Sequence, residues 1–473
     1  MLTIGKCLEA ITGQALEFSG PLVTGAKVDS RKIEPGNVFV ALAGETTDGH
    51  RYIENAFRNG AVAALVHENP EIECQVIDTT LPNLNLEEIN FSAPICIKTN
   101  NSVEALQTIA KFWRNQLTVD IVGITGSVGK STTKELTADV LSSHFKTLKN
   151  AGNLNNEIGL PLSIFELTEE HEVAVLEMGL YVPGEIKFLC NIASPRIGVI
   201  TNVGTVHAER AGSQEAIAKG KAELVQSLPA SPKGIAILNY DDPLVRPMAD
   251  LTKAQVFYYG LCNEADLWAD DIQGMGLEGI RFRLHYKNDT LHLRVPQIGR
   301  HSVHTVLRAV SVGLAYGMPW GEIVHGLQSS TNQIRLNTVY SKTGALILDD
   351  TYNASPESTM AALNLLHELD GRKIAILGDM KELGQYEKQG HEKVGMRAAS
   401  ICDELITFGE VSAMTAGAAQ TAGMKSRHIH HFNNMNELIS FAEELITGKD
   451  VVLVKGSNSL NMDRIVSALE GPR

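Results

Sequence analysis

The chain has 473 residues and a formal net charge of −14, from 41 Lys plus Arg against 55 Asp plus Glu. That length is a prior for about three domains, and that acidity makes the chain unsuited to neutralising a phosphate backbone, so no nucleic-acid partner is expected. Apolar residues at 44% and charged residues at 20% fit a well-cored globular protein, and no window reaches the ~18 uninterrupted apolar residues of a membrane span. The opening MLTIGKCLEAITG has no basic run followed by an apolar stretch, so no secretory leader is expected. Cys7, Cys74, Cys96, Cys190, Cys262 and Cys402 lie far apart without a Cys-x-x-Cys pair, and read as free thiols of a cytoplasmic protein.

In chain order, the first predicted elements are strands over 36–42 and 61–66 around a helical stretch over 52–59. The polar, Asn-rich segment 81–94 has no helical or strand period and reads as the nearest thing to a linker. Beyond it, apolar strands over 119–124, 172–176, 196–201 and 234–239 alternate with helices, the mark of a parallel sheet covered on both faces. A third series, over 345–348, 373–377, 405–408 and 451–454, reads as a second doubly wound unit. The expected fold is α/β in three domains, 1–98, 99–330 and 331–473, with a parallel-sheet phosphate-loop domain in the centre and a Rossmann-like domain at the C-terminus.

The sharpest signal is Gly123-Ile124-Thr125-Gly126-Ser127-Val128-Gly129-Lys130-Ser131-Thr132, between a predicted strand and a helix running toward His144. Glycines let backbone N–H groups turn onto phosphates, and the helix N-terminus adds positive potential. Lys130 would reach the β and γ phosphates and the Ser131 hydroxyl would ligate magnesium, so ATP is the expected ligand. The spacing is unusual, because the first position of G-x-x-x-x-G-K-[ST] is Ile124. Glu177 closes an apolar strand, where a carboxylate suits magnesium beside Ser131, although a solvated strand-end glutamate is the other reading. His207 follows another predicted strand, where a packing or surface role is as open as a ligand role. Lys221, on a predicted helix over 214–228, reads from spacing alone as charge matching in a phosphate pocket.

These residues resemble the Mur ligases of peptidoglycan synthesis. Thr125–Thr132 is similar to that family's shortened phosphate loop, and Gly152-Asn153-Leu154-Asn155-Asn156-Glu157-Ile158-Gly159-Leu160-Pro161 to its GN-x-NN-x-x-G-x-P element. Glu177-Met178-Gly179 and Asn202-Val203-Gly204-x-x-His207 resemble its two metal-binding segments, and Lys221 matches a lysine the family carries as a carbamate. Asp29-Ser30-Arg31, the run from Pro35 to Leu42, Gly44-Glu45 and Asp48-Gly49-His50 resemble the uridine-nucleotide domain. Asp349-Asp350-Thr351-Tyr352-Asn353-Ala354-Ser355-Pro356 and Gly378-Asp379-Met380-x-Glu382-Leu383-Gly384 resemble elements of the member that adds D-alanyl-D-alanine. Three elements depart from the pattern: His301-Ser302-Val303-His304-Thr305 lacks two asparagines, Ile334-Arg335-Leu336-Asn337 keeps only the arginine, and Lys455-Gly456-Ser457-Asn458 lacks one.

The resemblance implies an ATP-dependent amide ligase acting through an acyl phosphate, with UDP-N-acetylmuramoyl-tripeptide and D-alanyl-D-alanine as substrates. It implies Lys130, Glu177, His207 and Lys221 as catalytic residues, with Ser131, Glu177, His207 and carbamylated Lys221 holding two magnesium ions. ATP would be bound by Thr125, Gly126, Ser127, Gly129, Lys130, Ser131, Thr132, Arg335 and Asp350. Substrate would be bound by Ser30, Arg31, Gly44, Asn153, Asn155, Asn156, Tyr352 and Asn353. A monomer that closes by hinge motion near residue 331 is expected. Other Mur-type ligases, a folylpolyglutamate-type ligase and a catalytically silent nucleotide-binding homologue are the alternatives.

Overall fold

The computed structural model describes residues 1–15, 20–44, 47–81, 89–91, 93–329 and 337–471. It contains three α/β domains, each built on its own sheet. The first sheet is wholly parallel, in the order β1 (Gly25–Lys27), β2 (Asn37–Val40), β3 (Ala63–Val66), β5 (Ile95–Lys98), β4 (Gln75–Asp78). Helices α1 (Ile4–Thr12) and α2 (Ile53–Arg58) accompany it. Segment 81–94 is therefore not an interdomain linker. It joins β4 to β5, parallel neighbours that no tight turn can connect. Residues 82–88 and 92 of it lie outside the described residues.

Helix α3 (Ser102–Gln116) leads into the central sheet, and its face is buried between the first two domains. Buried Trp113 donates from its indole N–H to the carbonyl of Leu167 at 2.9 Å. One apolar core runs from β2, β3 and β5 through α3 to one face of the central sheet, so these domains are packed as a unit.

The central sheet runs β14-β13-β12-β11-β10-β9-β6-β8-β7. Its parallel part comprises β6 (Asp120–Thr125), β7 (Thr147–Lys149), β8 (Val173–Glu177), β9 (Ile197–Ile200), β10 (Ile235–Asn239), β11 (Gln255–Gly260) and β12 (Leu267–Gly274). β13 (Ile280–Tyr286) and β14 (Asp289–Val295) extend it in antiparallel fashion, which the sequence reading missed. Their side chains alternate between a buried apolar set and outward Arg281, Arg283, His292 and Arg294, so no continuous apolar run marks them. Helices α4 (Lys130–Ser142), α5 (Gly159–Phe165), α6 (Glu185–Ala193), α7 (Ala208–Ala211), α8 (Gln214–Gln226), α9 (Val303–Ala315) and α10 (Trp320–Ser329) complete this part.

The third sheet runs β15-β16-β20-β17-β18-β19. β15 (Asn337–Tyr340) is an antiparallel edge, and β16 (Leu346–Asp350), β17 (Arg372–Gly378), β18 (Glu404–Phe408), β19 (Ile429–Phe432) and β20 (Asp450–Lys455) are parallel. Apolar clusters cover both of its faces, and helix α11 (Pro356–Glu368) is set by a capping box at Ser355 and Ser358. The expected hinge near residue 331, and Arg335 with it, lie outside the described residues. No helix among the described residues is long and apolar enough to cross a membrane.

Candidate functional site

In the central sheet the chain leaves β6 for β7 and β8 on one side, then returns to β9 on the other. The carboxyl end of β6 is thus a topological switch point, where open α/β sheets bind ligands. The phosphate loop begins there. Thr125, fully buried, donates to the Met178 carbonyl at 2.9 Å, which ties the loop to the end of β8. On the β9 side, Asn202 accepts from the N–H of Val128 at 3.0 Å through Oδ1 and donates to its carbonyl at 3.0 Å through Nδ2. Thr201 donates to the same carbonyl at 2.8 Å, and Ser127 Oγ accepts from the Gly204 N–H at 2.8 Å.

The loop's glycines are required sterically. Gly126 has φ +151°, and a Cβ there would lie 1.7 Å from Thr201 Oγ1. Gly129, at φ +82°, opens α4, and a Cβ on it would stand 3.1 Å from a guanidinium nitrogen of Arg308. The Lys130 ammonium donates to the carbonyls of Gly126 at 2.9 Å and Ser127 at 3.3 Å, so it is held against the loop it would serve. Ser131 and Thr132 follow in the first turn of α4.

Glu177 ends β8 and is 2% exposed. Its Oε1 accepts from Asn155 Nδ2 at 2.8 Å, while Oε2 is buried with no hydrogen-bond partner among the described residues. An unpaired buried acceptor costs about 1–3 kcal/mol, more when charged, so an oxygen-seeking cation fits this atom. Asn150 accepts from the Glu177 N–H at 2.9 Å and donates to its carbonyl at 3.2 Å. Buried Lys134 then anchors the Asn150 and Gly152 carbonyls at 2.7 and 3.1 Å. Asn156 Oδ1 caps the following helix through the Gly159 N–H at 2.8 Å, whereas Asn153 is exposed.

His207 lies seven residues past β9 and not at its end, in a left-handed conformation (φ 66°) that begins α7. Burial, then the Lys130 charge, lowers its pKa against the opposing pull of Glu382. Lys221 is on α8, 2% exposed, and no hydrogen bond or ion pair reaches it among the described residues. Burial, and after it the Lys130 charge, drives its ammonium well below the ordinary lysine range. Carrying an unpaired buried charge costs several kcal/mol, so the neutral amine is the form this pocket favours.

The third domain closes one side of this edge. Asp350 and Lys455 are register partners at the ends of β16 and β20, paired at 2.7 Å, and Lys455 also donates to the Asn353 carbonyl at 2.7 Å. Asp350, Tyr352 and Asn353 line one cleft with Gly129, Thr132, His301, Ser302 and Thr305. Phosphate-loop and third-domain residues are thereby brought together. Ser30, Arg31 and Gly44 are not; they sit on the first domain, where Arg31 is exposed and paired with Asp29 at 2.8 Å. Glu45 lies outside the described residues.

Sequence reasoning missed Lys134 and Arg308 as site-building residues, and named Glu382 only within the Gly378–Gly384 element, with no role of its own. Arg308, 4% exposed on α9, donates to Thr133 Oγ1 at 2.5 Å and so braces α4 from a helix far along the chain. Nothing local to Arg308 signals that contact.

The chain is similar to known proteins along its whole length. Residues 22–114 match the Mur ligase family catalytic domain, 124–313 the Mur ligase middle domain and 334–458 the Mur ligase glutamate ligase domain. It is 32% identical over 473 residues to the UDP-N-acetylmuramoyl-tripeptide–D-alanyl-D-alanine ligase of Bacillus subtilis (strain 168), covering 99% of this chain and 98% of that one. A crystal structure of MurF from Acinetobacter baumannii superposes with a TM-score of 0.82 at 29% identity, over 98% of this chain and 97% of that one. The MurF ligase of Thermotoga maritima in complex with ADP gives 0.76 at 28% identity, over 94% and 97%.

Gly126→Ala should abolish nucleotide binding measured by calorimetry with ADP, since either Thr201 or the loop must move; ADP affinity equal to the unchanged protein would refute the steric account. His304 supplies a pH test. Burial, then Arg308 and His301, hold it at about 4 against an ordinary 6.5. Between those values the folded state binds fewer protons than the unfolded chain, so stability rises with pH. The contribution is complete above about pH 6.5 and is lost as pH falls toward 4, a span of about 3 kcal/mol. His304→Gln should flatten the acid limb of the Tm–pH profile; an unchanged limb contradicts the assignment.

Proposed function

The chain belongs to the Mur ligase family, and from that membership we propose that it joins D-alanyl-D-alanine to UDP-N-acetylmuramoyl-tripeptide at the expense of ATP, forming ADP and phosphate. The place of action would be the cytoplasmic assembly of peptidoglycan precursors, and the working unit a monomer. The observation that carries the chemistry is the carboxyl edge of the central sheet. There a phosphate loop with Lys130, and a buried Glu177 carboxylate oxygen and a Lys221 amine that have no hydrogen-bond partner among the described residues, would make up one site.

In this reading residues 1–98 hold the uridine nucleotide with Ser30, Arg31 and Gly44, residues 99–330 bind ATP, and residues 331–473 present the dipeptide. Asn153, Asn155 and Asn156 contact the peptide substrate near Glu177, while Asp350, Tyr352 and Asn353, with Arg335, serve the nucleotide and the reacting centre. The peptide carboxylate attacks the γ-phosphorus of ATP, giving an acyl phosphate and ADP. The dipeptide amine then attacks the acyl carbon, phosphate departs and the amine nitrogen loses a proton. Both partners of the first step are anions, so Lys130 and the inward N–H groups of the loop must offset their repulsion where charge develops.

Ser131, Glu177, His207 and Lys221 are the residues that would hold magnesium. The donor set fits if Lys221 reacts as a neutral amine with carbon dioxide and loses a proton, since an ammonium has no lone pair to offer and a carbamate has two oxygens. Magnesium, when bound, supplies charge neutralisation between substrate carboxylate and phosphates.

Phosphate release from ATP should need UDP-N-acetylmuramoyl-tripeptide and D-alanyl-D-alanine together, and Lys130→Ala should lower turnover by about 10³-fold with little change in UDP-substrate affinity. Release driven by another amino acid, by a folate substrate, or by neither substrate of the pair would replace this reading with one of its alternatives. Lys221→Ala should lose turnover and regain part of it with added formate or acetate; absence of rescue together with a bare amine in a carbon-13 carbonate spectrum would remove the carbamate.

A further inference from the structure

Glu382 belongs to a third-domain turn that the reaction as derived above does not use. Its Oε2 lies 2.6 Å from Nδ1 of His207, across the seam between the third and central domains. With the carboxylate as acceptor, this contact selects the tautomer whose proton is on Nδ1, and the Nε2 lone pair is the one left to offer. No hydrogen bond reaches Nε2 among the described residues.

Further observations show that this contact is built into the fold. Both partners hold left-handed backbones, φ 66° at His207 and 63° at Glu382, two of six non-glycine residues with positive φ among the described residues. Such conformations persist where the surroundings over-determine them, often at functional positions. Two residues on, Gly384 has φ 53°, and a Cβ there would lie 3.0 Å from the Glu209 Cα, so the turn fits flush against α7. The Glu209 N–H also donates to the Glu382 carbonyl at 3.4 Å. The ring is gripped from the side as well: Tyr181 meets it edge-on at 4.9 Å, the Arg210 guanidinium lies 4.9 Å from the Tyr181 ring, and Arg210 reaches Glu382 Oε1 at 3.9 Å.

We infer that Glu382 is a positioning residue for the ligase reaction. It sets the tautomer and orientation of His207 so that Nε2 is presented to a divalent cation. Because Glu382 comes from the third domain and His207 from the central one, the cation site is complete only when those domains are docked. A carboxylate behind a ligand histidine raises its basicity and fixes its ring, and loss of such a partner weakens metal binding by about 10- to 100-fold. The inference rests on the proposed role of His207 as a metal ligand.

The test is Mn2+ binding to the full-length protein with ADP present, followed by electron paramagnetic resonance, for the unchanged protein and for His207→Ala, Glu382→Ala, Glu382→Gln and the double alanine variant. His207→Ala and Glu382→Ala should each weaken Mn2+ binding about 10- to 100-fold, with the double variant no weaker than His207→Ala alone. Glu382→Gln, whose amide oxygen still accepts from Nδ1–H, should restore most of the affinity, and KM for the UDP substrate should stay within about threefold. If Glu382→Ala does not fold, Glu382→Asp, one methylene short of the ring, carries the same expectation. Unchanged Mn2+ affinity in Glu382→Ala overturns the inference, as does full additivity with His207→Ala, the result expected of a plain interdomain latch. If His207→Ala itself binds Mn2+ normally, the ligand role of His207 falls and this inference with it, whereas the ligase reading is judged separately by phosphate release.

Discussion

The clasp between β9 and the phosphate loop is the constraint on which the site depends. Asn202 satisfies both the N–H and the carbonyl of Val128, and Thr201 adds a second bond to the same carbonyl. With the Ser127 N–H on the Asn202 carbonyl, those contacts fix the loop backbone against the end of β9. The same close approach forbids a side chain at Gly126, where Thr201 occupies the space. On the other side of β6, Thr125 ties the loop to the end of β8 through the Met178 carbonyl. A loop held this tightly needs no reorganisation when charge develops on a bound phosphoryl group, which is how preorganised donors lower a barrier.

Electrostatics explains why the surrounding groups are the ones found. Lys130 bears on both neighbours: it lowers the pKa of His207 and adds to the burial that lowers Lys221. A third positive centre in so small a volume is disfavoured, so the two neighbours are pressed toward their neutral, lone-pair-bearing forms. Neutral nitrogen can ligate a metal or react with carbon dioxide, and protonated nitrogen can do neither. Glu177, with one oxygen held by Asn155 and the other without a hydrogen-bond partner among the described residues, offers an oxygen ligand.

Domain arrangement turns this local chemistry into a conditional one. The first and central domains share a core through α3. The third domain meets the candidate site through polar and apolar side chains together, with Asp350, Tyr352, Ala361 and Leu365 lining the cleft beside Gly129 and Thr132, and Glu382 on His207. The buried clusters of the third domain are its own, so its seam with the central domain, and not the one through α3, borders the candidate site. The proposed acyl phosphate would have to be shielded from water beside that seam.

The amino-acid sequence determined the three α/β units, the phosphate loop and the glutamate that ends β8, because each is written in contiguous residues: apolar runs of strand length, glycines where a Cβ cannot fit, and Lys-Ser-Thr at a helix start. It also carried the motifs through which the family resemblance was legible. Folding decided the rest. Segment 81–94 reads as a linker, yet the four-residue β5 beyond it inserts between β3 and β4, which only pairing across the sheet can dictate. β13 and β14 were hidden by their half-polar alternation. His207 stands next to Glu382, 175 positions away, and Arg308 braces Thr133 across the same separation. Such contacts have no local signature, since a hydrogen bond depends on where two side chains meet in space and a pKa on what surrounds the group once water has gone.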